Sequence, residues 1–150
     1  MQFSVLMSIY KATLADDLNH CLDSLTAQSL APDQIVLVRD GPVDSNVEKC
    51  IKHHAQYLPL RQLHFPQNRG LGPALRDGLY ACDHNFIARV DTDDWSVPER
   101  FALQVEYLVN NPSTSVVGGW LKEYYPGADP DGVVRQTPLD HMSIERVARR

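Results

Sequence analysis

The amino-acid sequence predicts an α/β fold, a doubly wound and mostly parallel sheet with helices on both faces. Three observations carry that expectation. Apolar runs alternate with amphipathic segments of helical period from Phe3 to Trp120. The early runs are apolar at almost every position, as strands covered by helices on both sides must be. Polar groups collect where the runs end: Ser8 and Tyr10, then Asp40, then Asp91, Thr92 and Asp93. In such sheets ligands bind beyond the carboxyl ends of the strands, near the point where the strand order reverses.

Each element has its own local reason. Phe3–Ile9 is the first buried run. Asp16 and Asp17 favour a helix start, because carboxylates are stabilised at the positive end of a helix dipole. Leu18, Cys21, Leu22 and Leu25 follow at i, i+3, i+4 and i+7, the apolar face of that helix. Pro32 breaks it, and residues 34–38 form a second buried strand that ends in Asp40, Gly41 and Pro42, a turn by its chemistry. Residues 45–57 read as a weaker, polar helix in which His53 and His54 are expected to be solvated. Residues 60–65 alternate like a strand nearer an edge. Asn68, Arg69, Gly70, Leu71, Gly72 and Pro73 then form a loop into a helix ending near Tyr80. Backbone N–H groups at such an entry can meet an anion, although the glycine spacing is not the dinucleotide-binding fingerprint.

The next run, residues 86–90, delivers Asp91, Asp93 and Asp94 within four positions. Pro98 suits the first turn of a helix that runs to Val109 with Phe101, Val105 and Leu108 on one face. Asn110, Asn111 and Pro112 end it. Residues 115–120 are expected to add a short strand. Residues 126–131 are turn-rich and expected to be mobile, and residues 143–150 begin a last helix with Ile144 and Val147 on one face.

Composition narrows the function classes. With 150 residues the chain has room for one domain, residues 1–150, which can bury roughly 70% of its unfolded surface. A net charge of −5 and the lack of a basic cluster with interleaved aromatics argue against a nucleic-acid partner. No apolar run approaches the roughly 20 residues of a membrane span, and the N-terminus carries no signal-peptide pattern. Cys21, Cys50 and Cys82 are odd in number and widely spaced, so they read as reduced cytoplasmic thiols and not as a disulfide framework or zinc site.

The chemistry concentrates in residues 91–94. Like charges disfavour one another, so three carboxylates at the exit of a buried strand destabilise it unless a cation shares them. Crowded carboxylate oxygens on a short loop suit Mg²⁺ or Mn²⁺, which take one or two carboxylates and fill their shell with phosphate and water. A solvated acidic turn is the alternative for the pattern taken alone.

Five stretches in order raise the specificity: residues 4–10, residues 36–41, Asn68-Arg69-Gly70-Leu71-Gly72, Val90-Asp91-Thr92-Asp93-Asp94-Trp95, and Val116-Val117-Gly118-Gly119. Together they resemble the family 2 glycosyltransferases of GT-A fold, with bacterial exopolysaccharide and O-antigen members the most alike. The resemblance implies a nucleotide-sugar donor, usually UDP-linked, a divalent metal (Mn²⁺ or Mg²⁺) and inversion at the anomeric carbon. It implies that Ser8, Tyr10 and Gly70 line the nucleotide and that Asp40 accepts the N–H of the donor base, against a plain Asx-type turn. Arg76 matches an arginine near base and diphosphate, or else is a surface arginine. Asp91 then lies towards ribose and metal water and Asp93 ligates the metal, so that Asp91 and Asp93 form the metal pair with Asp94 as the other register, and Thr92 between them belongs to the nucleotide-sugar site.

The same resemblance implies a saccharide or lipid-linked acceptor in cell-surface polysaccharide synthesis, work at the inner face of the cytoplasmic membrane, and a peripheral membrane association or homodimer. It departs at Arg39, where the family often has an acid before Asp40, and at Lys11, near which it has another; both bear on donor-base preference. Members continue into an acceptor-binding half that carries the general base. Asp129, Asp131, Asp140 and Glu145 are the late acids here, and none stands in that motif. The expectation is therefore the donor-binding, N-terminal portion of a truncated GT-A domain, inactive in transfer by itself. A nucleotide- and metal-binding module without catalysis is the other reading. A phosphoacceptor receiver would need an acidic pair where Tyr10 and Lys11 stand, and a phosphatase of Asp-x-Asp type would carry its motif after the first strand.

Overall fold

The computed structural model describes residues 1–123 and 132–148. In chain order the elements are β1 (Phe3–Ile9), α1 (Ala15–Thr26), β2 (Gln34–Asp40), α2 (Ser45–His54), β3 (Leu60–Phe65), α3 (Leu71–Tyr80), β4 (Phe86–Arg89), α4 (Arg100–Asn110), β5 (Leu121–Lys122), β6 (Val134–Arg135) and α5 (His141–Ala148). They fall into two compact units, Met1–Glu106 and Tyr107–Arg150.

The first unit is the alternating α/β pattern made real. Its sheet runs β3-β2-β1-β4, and every neighbouring pair is parallel. Alternation along each strand assigns the faces. Phe3, Val5, Met7 and Ile9 of β1 join Ile35 and Leu37 of β2 in one core with Leu18, Cys21, Leu22 and Leu25 of α1, Val47 and Ile51 of α2, and Phe101 of α4. Leu6, Val36 and Val38 point the other way, onto Ala74 of α3. Burial of each such aliphatic side chain contributes about 1.5–3 kcal/mol, and helices on both faces explain why the middle of each strand, residues 5–7 of β1 and 35–38 of β2, carries no polar residue. Gly78 is needed at the second face, because a methyl group there would stand 2.5 Å from Leu6 Cδ1 and 2.7 Å from Val38 Cγ2. Among the described residues no buried side-chain nitrogen or oxygen is left without a hydrogen-bond partner.

The second unit is smaller. β5 and β6 pair antiparallel, Leu121 opposite Arg135 and Lys122 opposite Val134, and Arg135 pairs with Glu123 beside them. The Asp140 carboxylate caps α5 by accepting the Ser143 N–H at 2.9 Å. No described helix is long and apolar enough to cross a membrane.

Three expectations change. Residues 115–120 are not a strand; among the described residues no neighbouring strand supplies their ladder bonds, and pairing begins only at Leu121. The last helix starts at His141, two residues early, because Asp140 and not Ser143 provides the cap. The expected turns at residues 126–131 lie outside the described residues, as do Arg149 and Arg150.

The third change is His54, which is 2% exposed and not solvated. It ends α2 on the face turned to α1, and its Nε2–H donates to Asn19 Oδ1 at 3.1 Å while the Asn19 amide donates to Asp23 at 3.0 Å. Burial lowers the His54 pKa, opposed by Asp23 at 3.9 Å and aided by His53. A depressed folded pKa means that the unfolded chain takes up the proton first. His54 therefore contributes stability at neutral pH that is lost as pH falls below about 6.5, its unfolded value. Urea denaturation from pH 7.5 to 5 should show wild type losing more stability than His54→Gln across that window; parallel profiles would contradict the assignment.

Candidate functional site

The strand order reverses at β1: the chain moves outward to β2 and β3, then returns to place β4 on the other side. The crevice beyond the carboxyl ends of β1 and β4 is thus the switch point of the sheet. Two short loops border it. On the β1 side the Tyr10 N–H donates to Thr13 Oγ1 and the Thr13 N–H returns to Tyr10 O, both at 3.0 Å. That reciprocal turn leaves the Tyr10 ring exposed, while Ser8 stays half-buried within the strand. On the β4 side the Asp94 N–H closes a turn on Asp91 O at 3.2 Å. Asp93 and Asp94 reach solvent, and Asp91 and Thr92 are half-buried.

Helix α1 fastens this acidic loop. The Cys21 thiol donates to Asp91 O at 3.4 Å, and Ser24 Oγ accepts the Ser96 N–H at 3.1 Å. Gln28, nearly buried, uses its whole amide: Nε2 donates to Val97 O at 2.8 Å and Ser96 O at 3.3 Å, and Oε1 accepts the Phe101 N–H at 3.2 Å. Ser29 adds its N–H and hydroxyl to Pro98 O at 2.8 and 3.1 Å. The loop is irregular in backbone yet held at both ends by α1 and the two residues past its C-cap, Gln28 and Ser29. Such anchoring fixes carboxylates in space without spending their own oxygens.

Two arginines balance the charge. Arg89 and Asp91 sit two apart and so share a face, and the guanidinium grips both carboxylate oxygens at 2.6 and 2.5 Å. Arg100, at the start of α4, donates to Ser96 Oγ and to Arg89 O, each at 2.9 Å. Partial burial raises the Asp94 pKa first, then its neighbours Asp91 and Asp93, with Arg100 and Arg89 pulling the other way. Burial, then the charges of Asp94 and Asp93, push the Cys21 thiol up to about 12, so it serves as a neutral donor and not as a nucleophile. Among the described residues no three His, Cys, Asp or Glu side chains converge as a ready-made metal cage. The donor set fits a hard cation that takes a minority of its ligands from protein and the remainder from phosphate and water.

Asp40 stands at the end of β2, beside β1, and is 2% exposed. Its two oxygens accept the N–H groups of Arg69 and Gly70, both at 2.8 Å, at the amino end of α3. Gly70 caps that helix at φ 89°, a left-handed conformation that costs a side-chain-bearing residue more. The carboxylate thus meets both the orphan donors and the positive end of the helix dipole. Arg39, the next residue back, turns to the opposite face and pairs with Glu48 of α2 at 2.7 Å. It lines a cleft of about 200 Å³ with Lys52, Gln62 and His64, away from the acidic loop. Arg76 lies exposed on α3, paired with Asp77 at 2.9 Å.

The strand order sets Tyr10 beyond the end of β1 and Asp91, Thr92 and Asp93 beyond the end of the adjacent β4, with Asp40 at the end of β2 bonded to Gly70, while Arg76 lies on the surface of α3. Sequence reasoning missed Arg89, Arg100, Gln28 and Cys21. Arg89 was readable, since the strand period of two puts it on the face of Asp91. Replacing Gln28 by Met keeps the length and removes the amide. Two backbone groups, Val97 O and Phe101 N–H, then lose their side-chain partner, at about 1–3 kcal/mol each where they stay buried. Urea denaturation should register a loss of about 2–5 kcal/mol, and a loss well under 1 kcal/mol would contradict the role of Gln28 as the staple of the loop.

Comparison with known proteins gives these features a family. Residues 4–137 match the profile described as Glycosyl transferase family 2. The chain is 40% identical over 149 residues to the amylovoran biosynthesis glycosyltransferase AmsE of Erwinia amylovora, covering 98% of this chain and 54% of that protein. It is 38% identical over 150 residues to an uncharacterized glycosyltransferase of Haemophilus influenzae, covering 100% of this chain and 56% of that one. A third relative, 31% identical over 137 residues, is the UDP-Gal:alpha-D-GlcNAc-diphosphoundecaprenol beta-1,3-galactosyltransferase of Escherichia coli, with 91% and 50% covered. The chain thus spans about half the length of these relatives. Among solved structures, S. aureus TarS 1-349 in complex with UDP-GlcNAc superposes with TM-score 0.65 at 21% identity over 75% of this chain and 32% of that one. Mannosyltransferase PcManGT from Pyrobaculum calidifontis, in complex with GDP-Man and Mn²⁺, gives 0.66 at 20% identity over 81% and 36%. At those identities the superpositions speak for the fold, which is the GT-A arrangement of a parallel sheet between helices. With the profile spanning most of its length, the chain belongs to glycosyl transferase family 2.

Proposed function

We propose that the chain is the donor-binding part of an inverting glycosyltransferase that takes a nucleotide sugar, UDP-linked in preference, with Mn²⁺ or Mg²⁺. The observation that carries the reading is the anchored acidic loop at residues 91–94, set at the switch point of the sheet beside Tyr10. Relatives whose names specify a UDP-galactose donor or amylovoran synthesis, and fold neighbours carrying UDP-GlcNAc or GDP-Man with Mn²⁺, support it. By the same likeness the acceptor is a saccharide or lipid-linked saccharide of cell-surface polysaccharide synthesis. The cytoplasmic face of the membrane is the place where such acceptors meet soluble donors.

The residues divide the work. Tyr10 offers an exposed ring at the mouth of the crevice, against which a nucleoside can lie. Asp40 holds the loop that carries Gly70 and keeps lone pairs beyond the two it gives to backbone, so the N–H of a pyrimidine base can share it. Thr92 and Asp91 lie towards ribose, and the exposed Asp93, with Asp94 beside it, presents oxygens to the cation. These carboxylates would hold a divalent ion, which would supply positive charge for the leaving diphosphate. Anchoring by α1 removes the need to reorganise the loop as the diphosphate leaves. We assign no residue as the base that takes the acceptor proton.

Thermal unfolding with UDP and Mn²⁺ tests the reading, because a ligand of the native state raises stability by mass action. UDP with Mn²⁺ should raise the midpoint, EDTA should remove most of the rise, and Asp93→Asn should abolish it. An equal rise in EDTA would contradict a bridging metal. A neutral amide at Asp40 presents a donor where an acceptor is needed, so Asp40→Asn should weaken UDP more than CDP or GDP in calorimetric titration. An equal loss for all three would reduce Asp40 to its loop-holding role.

A further inference from the structure

We propose that Arg89 is a resident counter-ion that occupies Asp91 until a divalent cation arrives with its nucleotide diphosphate, so that Arg89 sets how tightly the cation is held. The proposal rests on the metal-and-nucleotide reading above and deepens it. The Arg89 guanidinium takes both oxygens of Asp91, Nη1 to Oδ2 at 2.6 Å and Nη2 to Oδ1 at 2.5 Å. Among the described residues neither Asp93 nor Asp94 has its carboxylate held by a side-chain hydrogen bond, so Arg89 selects one acid of the three. A hard cation or a ribose hydroxyl approaching Asp91 must displace or share that fork.

The two arginines of the loop differ in how readily they can leave. Arg100 is fixed by Ser96 Oγ, Arg89 O and Gln104, is half-buried, and has its pKa lowered by that burial. Among the described residues Arg89 spends its guanidinium on Asp91 alone, and the pair stands 46% and 44% exposed. An exposed ion pair holds its partners by only a small factor, up to about fivefold. Such a grip relieves repulsion within residues 91–94 and still yields to a divalent ion. Arg100 is built into the frame; Arg89 is free to exchange.

The sign of the effect separates this role from two others. A structural arginine, when removed, would loosen the loop and weaken ion binding, and an arginine that contacts the diphosphate would do the same to UDP. A competing counter-ion, when removed, strengthens ion binding. The experiment is an electron paramagnetic resonance titration of Mn²⁺ into the chain, without and with UDP, for wild type, Arg89→Gln and Arg89→Lys. Arg89→Gln should tighten Mn²⁺ about two- to fivefold, a range set by the small worth of exposed pairs. Arg89→Lys, which keeps the charge and loses the fork, should fall between. Arg89→Gln that leaves Mn²⁺ affinity unchanged or weaker, while wild type still binds Mn²⁺ with UDP, would overturn the counter-ion role and leave the functional reading intact. Wild type that takes up no Mn²⁺ even with UDP would overturn both.

Discussion

Everything at this site depends on making three carboxylates bearable within four residues. Like charges so close raise one another's cost of ionisation, and the strand leading into them, β4, is a half-exposed edge of the sheet and not the buried run its apolar sequence suggests. The chain answers in two ways. Arg89 and Arg100 bring opposite charge to the loop, and α1 takes over its backbone through Cys21, Ser24, Gln28 and Ser29. Charge compensation and backbone anchoring come from different elements, so Arg89 takes up Asp91 alone of the three acids, and Asp93 and Asp94 stay exposed with, among the described residues, no side-chain hydrogen bond on their carboxylates. That is the condition for a cation site assembled jointly with a phosphate ligand.

The sheet distributes the remaining roles by its alternation. Adjacent residues of β2 face opposite ways, so Arg39 serves α2 and Asp40 serves the loop into α3. The arginine that departs from the family pattern is therefore turned from the face where Asp40 works. Gly78 allows α3 to lie against Leu6 and Val38, and that close seat brings the amino end of α3 to the carboxylate of Asp40. Core packing and site geometry are here the same fact seen from two ends of one helix.

Much of this was legible from sequence, for identifiable reasons. The apolar runs of β1 and β2, the four-residue face of α1 and the edge character of β3 follow local periodicity, and local periodicity survives folding. The acidic loop was recognisable because chance rarely sets three carboxylates after an apolar run, although that run, β4, is a half-exposed edge strand and not a buried one. What could not be read lies across the chain: Gln28 reaches Val97 and Phe101 from some 70 residues away, and nothing local marks it. His54 misled because a polar neighbourhood in sequence became an interface with Asn19 in space. The strand expected at residues 115–120 failed because β-structure needs a partner, which an apolar pattern cannot supply.

The central claim is that the crevice beyond β1 and β4 receives the diphosphate and its cation together. Paramagnetic broadening in the NMR spectrum of the labelled chain, with UDP and substoichiometric Mn²⁺, reads that location directly. Amide signals of residues 10–13 and 90–96 should broaden first, while those of Gln34 and Phe86 at the opposite end of the sheet stay sharp. Broadening centred instead on the cleft of Arg39, Lys52 and His64, or spread evenly over the surface acids, would contradict the account.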